Sequence, residues 1–138
     1  MDALVLAQKI ESLRRCIRRV DEKSPDSVEE LVQDADLQDI LVLNLTRAVQ
    51  LCVDIGSHII SQSDESAPAT MGEVFTVLER IGAISAVTSE SMKKAVGFRN
   101  VAVHNYDAIN WAIVYSICRK SVAEFKQFVR SISAFADN

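Results

Sequence analysis

The stretch LQDILVLNLTRAVQLCVDIGSHII, residues 37–60, decides the fold. Leu37, Leu41, Leu45, Ala48, Cys52, Ile55 and Ile59 recur every three or four residues, the period at which side chains return to one face of an α-helix. Ile40, Val42, Val49, Val53 and Ile60 widen that stripe well beyond one face. A helix apolar on more than one side either sits at the centre of a bundle or is shared between its own bundle and a second subunit.

Upstream, Leu6, Ile10, Leu13, Ile17 and Val20 form a narrower stripe, which predicts a first helix from about Asp2 to Lys23. Ser24-Pro25-Asp26 breaks it, and Ser27-Val28-Glu29-Glu30 has the spacing of a capping box that starts the next segment. Downstream, the polar run 61–69 reads as a loop and a mobile one. Thr70-Met71-Gly72-Glu73 is a second capping box, opening a short helix to about Gly82. A further short helix is expected from about Ser89 to Phe98. The last runs from about Ala108 to Phe135, with Trp111, Val114, Cys118, Val122, Phe125, Val129 and Ile132 at helical spacing. The expected architecture is all-α, an antiparallel up-and-down bundle of about five helices, with residues 1–138 forming a single domain.

Composition agrees with this outline. A chain of 138 residues, 49% of them hydrophobic, can bury one full core, and two prolines and four glycines leave helices as the favoured element. No segment approaches the roughly eighteen uninterrupted apolar residues of a membrane span, and Met1-Asp2-Ala3 opens no basic-then-apolar leader. The expected location is the cytosol, away from membranes. Cys16, Cys52 and Cys118 are odd in number and widely spaced among apolar helical positions, so they read as buried free thiols rather than a disulfide framework or zinc site.

The formal charge of −4 is unevenly spread. Residues 1–20 hold five basic and two acidic side chains, residues 21–90 three and fourteen, and residues 91–138 seven and three. Arg14, Arg15, Arg18 and Arg19 crowd one part of the first helix, a cluster that is met by solvent or by an anionic partner. If the two basic ends pack together, a positive face exists on an acidic protein, and local potential governs contact with phosphate.

Two histidines are present. His58 follows Asp54 by four residues and reads as a helix histidine hydrogen-bonded to a carboxylate, with no further ligands to make a metal site. His104 lies in the segment Arg99-Asn100-Val101-Ala102-Val103-His104-Asn105-Tyr106. Arg99 supplies a planar, permanently charged fork that matches phosphate, and His104 can accept and return a proton near neutral pH. Asn100 and Asn105 add hydrogen-bond donors and Tyr106 a phenol; on residue chemistry alone, the group is either a phosphate-handling site or a cap on a helix junction.

Read as Arg-polar-x-x-x-His and extended to Arg-x-x-x-x-His-x-Tyr, this segment resembles the signature of HEPN-domain ribonucleases. The run Gly97-Phe98-Arg99-Asn100-Val101-Ala102-Val103-His104-Asn105-Tyr106 is similar to the HepT toxin version, and Asp54-Ile55-Gly56-Ser57-His58 also looks HepT-like. The resemblance implies a HEPN helical bundle, a homodimer and an endoribonuclease that halts growth as the toxin of a type VII-like pair. It implies a partner, a small nucleotidyltransferase antitoxin of the MntA kind, that transfers AMP to Tyr106. Arg99 and His104 are then the catalytic residues, Asn100, Asn105 and Tyr106 support RNA binding, and no metal or cofactor is called for. Cutting requires an acid and a base, yet each chain brings one motif histidine, so a two-fold dimer would complete the site, with the extra apolar face of the long helix as its interface. Tyr106 itself is open to three roles: donor to RNA, structural anchor, or nucleotide acceptor. The alternative to catalysis is a HEPN-type nucleotide-binding or docking module for a nucleotidyltransferase.

Overall fold

The structure, a computed structural model, describes residues 3–137. Six α-helices follow one another: α1 (Ala3–Lys23), α2 (Val28–Val32), α3 (Ala35–Ser61), α4 (Met71–Arg80), α5 (Ala86–His104) and α6 (Trp111–Ala136), with a single 3-10 turn, Tyr106–Ala108, before the last. Asp2, where the first helix was expected to start, lies outside the described residues.

Helix α3 is the axis of the molecule. Its 27 residues span about 40 Å at 1.5 Å per residue, and it touches α1, α2, α4, α5 and α6. Most of its broad apolar surface is consumed inside the chain: Leu41, Leu45, Ala48, Cys52, Ile55 and Ile59 are buried, and so are Val42, Val49, Val53 and Ile60. Leu37 and Ile40 stay half-buried and Leu43 is 47% exposed, so most of the extra face expected to furnish a subunit interface serves the bundle's own core and its first turns keep an apolar remnant at the surface. Helix α3 is long and apolar enough to cross a membrane, but these same positions lie against its neighbours.

Helix α1 runs antiparallel to α3, as the Lys9–Asp54 ion pair at 3.7 Å near one end shows, and buries Leu13, Cys16, Ile17 and Val20 against it. Pro25 ends α1, and Ser24 Oγ donates to the Val20 carbonyl at 2.8 Å, satisfying one of its last acceptors. Both expected capping boxes form. Ser27 Oγ accepts from the Glu30 N–H at 3.2 Å while Glu30 accepts from the Asp26 N–H at 3.1 Å. Thr70 Oγ1 accepts from the Glu73 N–H at 3.2 Å, and Glu73 accepts from the Ala69 N–H at 3.0 Å.

Four boundaries differ from the sequence reading, each for a local reason. The segment opened by Ser27 is a separate helix, α2, because Asp34 begins α3 afresh by accepting from the Leu37 N–H at 3.0 Å. Gln38 then closes the joint, donating from Nε2 to the Leu31 and Val32 carbonyls at 2.9 and 3.1 Å. Helix α5 starts three residues earlier than expected, where Ser85 accepts from the Thr88 N–H at 3.1 Å, and runs six residues further, because nothing from Arg99 to His104 breaks a helix. It is 19 residues long, not short. Helix α6 starts at Trp111 because Asn110 caps it, its side chain accepting from the Ala112 and Ile113 N–H groups.

At Gly56, α4 comes within touching distance of the α3 backbone: a Cβ there would lie 2.6 Å from Val74 and 2.8 Å from Leu78. Phe75 of α4 meets Phe128 of α6 edge-on at 6.0 Å, closing the core from the other side. Gly82, at φ +84°, takes the left-handed conformation that lets the chain leave α4. The loop before α4, read as mobile, is tied by Glu65, which accepts from Arg80 Nε at 2.6 Å.

Candidate active site

The motif residues fall on the end of α5 and the turn beyond it. Arg99, Asn100 and His104 occupy the last turns of the helix, Asn105 leaves the helical conformation and ends it, and Tyr106 opens the 3-10 turn. Asn105 is held by its backbone N–H, which donates to the Val101 carbonyl at 2.8 Å. The motif was expected after a short helix; its first six residues are instead helical, which fixes their relative directions.

Those directions matter. Five α-helical residues turn the chain through about 500°, leaving Arg99 and His104 about 140° apart around the axis and about 7.5 Å along it. Asn100 and His104, four apart, share a face. Arg99 is half-buried and donates from Nη1 to Asn100 Oδ1 at 3.4 Å. His104 is exposed, and its side chain makes no hydrogen bond or ion pair among the described residues. A helix end presenting an unengaged imidazole to solvent is equipped to meet a second molecule.

Apolar side chains are exposed beside the motif. Val101, Val103 and Ile113 are 41%, 52% and 55% exposed, and a groove between α5 and α6 continues from Val101 and Ile113 over Phe98, Ile109 and Ile117. Gly97 lines the same groove, and nothing in the chain lies within 4 Å of where its Cβ would be.

Tyr106 is anchored by contacts to α3 and α6. Its ring lies edge-on to Trp111 at 6.1 Å, and its hydroxyl donates to Asp39 Oδ1 on α3 at 2.7 Å. Burial, and then the hydrogen bond and negative charge of Asp39, push the phenol up to about 12. Sequence reading missed Asp39, since 67 residues separate it from Tyr106 and no local spacing links them.

The basic ends do meet: Arg14 and Arg18 of α1 line a cleft with Lys126 and Arg130 of α6. Glu11 partly offsets it, 3.8 and 3.6 Å from Arg14 and Arg18. His58 is buried on α3, while the Asp54 carboxylate is engaged by Gln50 at 2.9 Å and by Lys9. All three cysteines are buried free thiols. Burial raises each, with Cys118 at about 11, so none is primed as a nucleophile.

Comparison with known proteins finds relatives over nearly the whole chain. Residues 13–132 match the family model described as Ribonuclease HepT-like. The mRNA nuclease HepT of Shewanella oneidensis is 35% identical over 130 residues, covering 94% of this chain and 97% of that protein. The tRNA nuclease HepT of Aphanizomenon flos-aquae is 21% identical, covering 98% of this chain and 92% of that protein. Among solved structures, the tri-AMPylated Shewanella oneidensis HEPN toxin in complex with MNT antitoxin superposes with a TM-score of 0.89 at 35% identity, covering 97% of this chain and 99% of that one. The resemblance carried by Arg99 to Tyr106 thus extends through the whole bundle, and the chain belongs to the HepT-like ribonuclease family.

Proposed function

We propose that this single-domain chain is the toxin of a type VII-like toxin–antitoxin pair: a metal-independent endoribonuclease that works as a cytosolic homodimer and is silenced when a nucleotidyltransferase antitoxin attaches AMP to Tyr106. The observation that carries the reading is Arg99 and His104 on the exposed end of α5, with the His104 imidazole unengaged, in a chain of a ribonuclease family. A related toxin crystallised AMPylated and bound to its MNT antitoxin, which supports the partner and the modification.

In this mechanism the 2'-hydroxyl of RNA attacks the adjacent phosphate. Histidine takes the proton from the attacking oxygen and returns one to the leaving 5'-oxygen, while Arg99 holds the charge that grows on the phosphoryl oxygens. The products are a 2',3'-cyclic phosphate and a free 5'-hydroxyl, and no step requires a metal. The angular offset between Arg99 and His104, together with one motif histidine per chain, favours a cleft shared across a two-fold axis. The exposed Val101, Val103 and Ile113 and the groove beside them offer a second copy an apolar seat. The cleft of Arg14, Arg18, Lys126 and Arg130 offers cations to an RNA backbone.

The test is growth. Expressing the chain alone should arrest cells, His104→Ala should not, and coexpression with the nucleotidyltransferase should restore growth while adding AMP mass to the Tyr106 peptide. Arrest by His104→Ala as strong as by the wild type would exclude the catalytic reading and leave the docking module.

A further inference from the structure

Tyr106 is built into the fold as one half of a pair. Trp111 borders its ring, and its hydroxyl donates to Asp39 Oδ1 in a well-formed hydrogen bond of 2.7 Å. Asp39 is exposed on α3, and no lysine, arginine or histidine forms an ion pair with it among the described residues. Its carboxylate is therefore left to act on the phenol. No other charged side chain contributes to the perturbation of Tyr106.

We infer that Asp39 is the positioning residue that aims the Tyr106 oxygen and receives its proton when a nucleotidyl group is transferred to it. The inference rests on the reading of Tyr106 as the acceptor. A lone pair of Tyr106 Oη forms a bond to the α-phosphorus of a nucleoside triphosphate held by the transferase. The Oη proton passes to Asp39 Oδ1, the bond from the α-phosphorus to its bridging oxygen breaks, and pyrophosphate departs with that electron pair. The product is a tyrosyl phosphodiester.

Two physical arguments support a base at this position. With the phenol held at about 12, almost no phenolate exists near neutral pH, so the proton must leave as the new bond forms. Asp39 cannot supply a preformed nucleophile, since its charge opposes ionisation; it supplies direction and a proton acceptor. After transfer the oxygen has no proton to donate and carries a negative phosphodiester beside a negative carboxylate, so the contact belongs to the unmodified protein alone.

The experiment measures AMP incorporation into Tyr106 by mass spectrometry, with purified antitoxin and ATP, for wild type, Asp39→Asn and Asp39→Glu from pH 6.5 to 9.5. Asparagine keeps a hydrogen-bond acceptor of the same shape but removes the base. Asp39→Asn should be modified about a hundredfold more slowly, with a rate that climbs steeply with pH where the wild type is nearly flat. Asp39→Glu should recover part of the rate and the flat profile. Helical circular dichroism of both variants should match the wild type. Modification of Asp39→Asn at the wild-type rate and pH profile overturns the inference and leaves the acceptor role of Tyr106 standing; absence of modification in the wild type overturns both.

Discussion

Gly56 and Gly97 both lie inside long helices, and their surroundings are opposite. At Gly56 the chain itself fills the space: Val74 and Leu78 of α4 lie where a Cβ would go. At Gly97 the chain leaves the space empty, on a groove that leads to exposed Val101 and Ile113 and, one turn on, to His104. The α3–α4 contact is a closed region in which every apolar face has a partner from the same chain. The end of α5 is an open region, where apolar side chains and an unengaged imidazole face outward. A fold that closes its interior this thoroughly leaves its open region to be completed by another molecule.

Substitutions break or sharpen that contrast, and the largest effects belong to the open end. His104→Ala should lower RNA cleavage by about 10²–10⁴-fold, the range for removing a general acid–base group, while leaving the thermal midpoint nearly unchanged because the side chain is exposed and has no hydrogen bond or ion pair among the described residues to lose. Arg99→Ala should cost about 10²–10³-fold in cleavage, and Arg99→Lys should recover little of it, since a point charge cannot reproduce a two-pronged grip on phosphate. A Tm that falls sharply in either variant would place these residues in the closed region instead.

The glycines give smaller effects of opposite sign. Gly56→Ala should destabilise the fold by about 1–3 kcal/mol in denaturant titration, because Val74 is β-branched and cannot swing aside. Gly97→Ala should stabilise the isolated chain by about 0.5–1 kcal/mol by removing the cost of glycine in a helix. If Gly97→Ala instead weakens self-association, measured by sedimentation, the groove is where a second copy sits.

Tyr106 provides the smallest and most local test. Its folded-state value is raised to about 12 from 10, so the folded chain holds the phenol proton more tightly than the unfolded chain does. That contribution is fully present below pH 10 and is lost as pH rises toward 12. Ultraviolet titration should show the phenol ionising at lower pH in Asp39→Asn than in the wild type. Identical titration curves would show that Asp39 has no hold on Tyr106.

Much of this was legible in the sequence because it is local. The stripe on α3, the two capping boxes and the buried thiols depend on residues within one or two helical turns of each other. The extent of α5 was not, because its apolar positions have little periodicity and its start depends on Ser85 rather than on a stripe. Whether the wide face of α3 met its own bundle or a second subunit was equally undecidable, since both produce the same apolar pattern. The motif itself was readable as residue types at a spacing. Its directions waited on the finding that Arg99 to His104 is helical, and Asp39 waited on the folding of α3 against the turn that carries Tyr106.

The central claim is that the open end of α5 cuts RNA through His104 and Arg99. Its most direct test is to incubate purified chain with RNA in excess EDTA, beside His104→Ala, and to analyse the ends produced. The account predicts fragments bearing 2',3'-cyclic phosphates and 5'-hydroxyls from the wild type and intact RNA from the variant. Equal cleavage by both proteins, or cleavage by the wild type only when a divalent metal is restored, would contradict it.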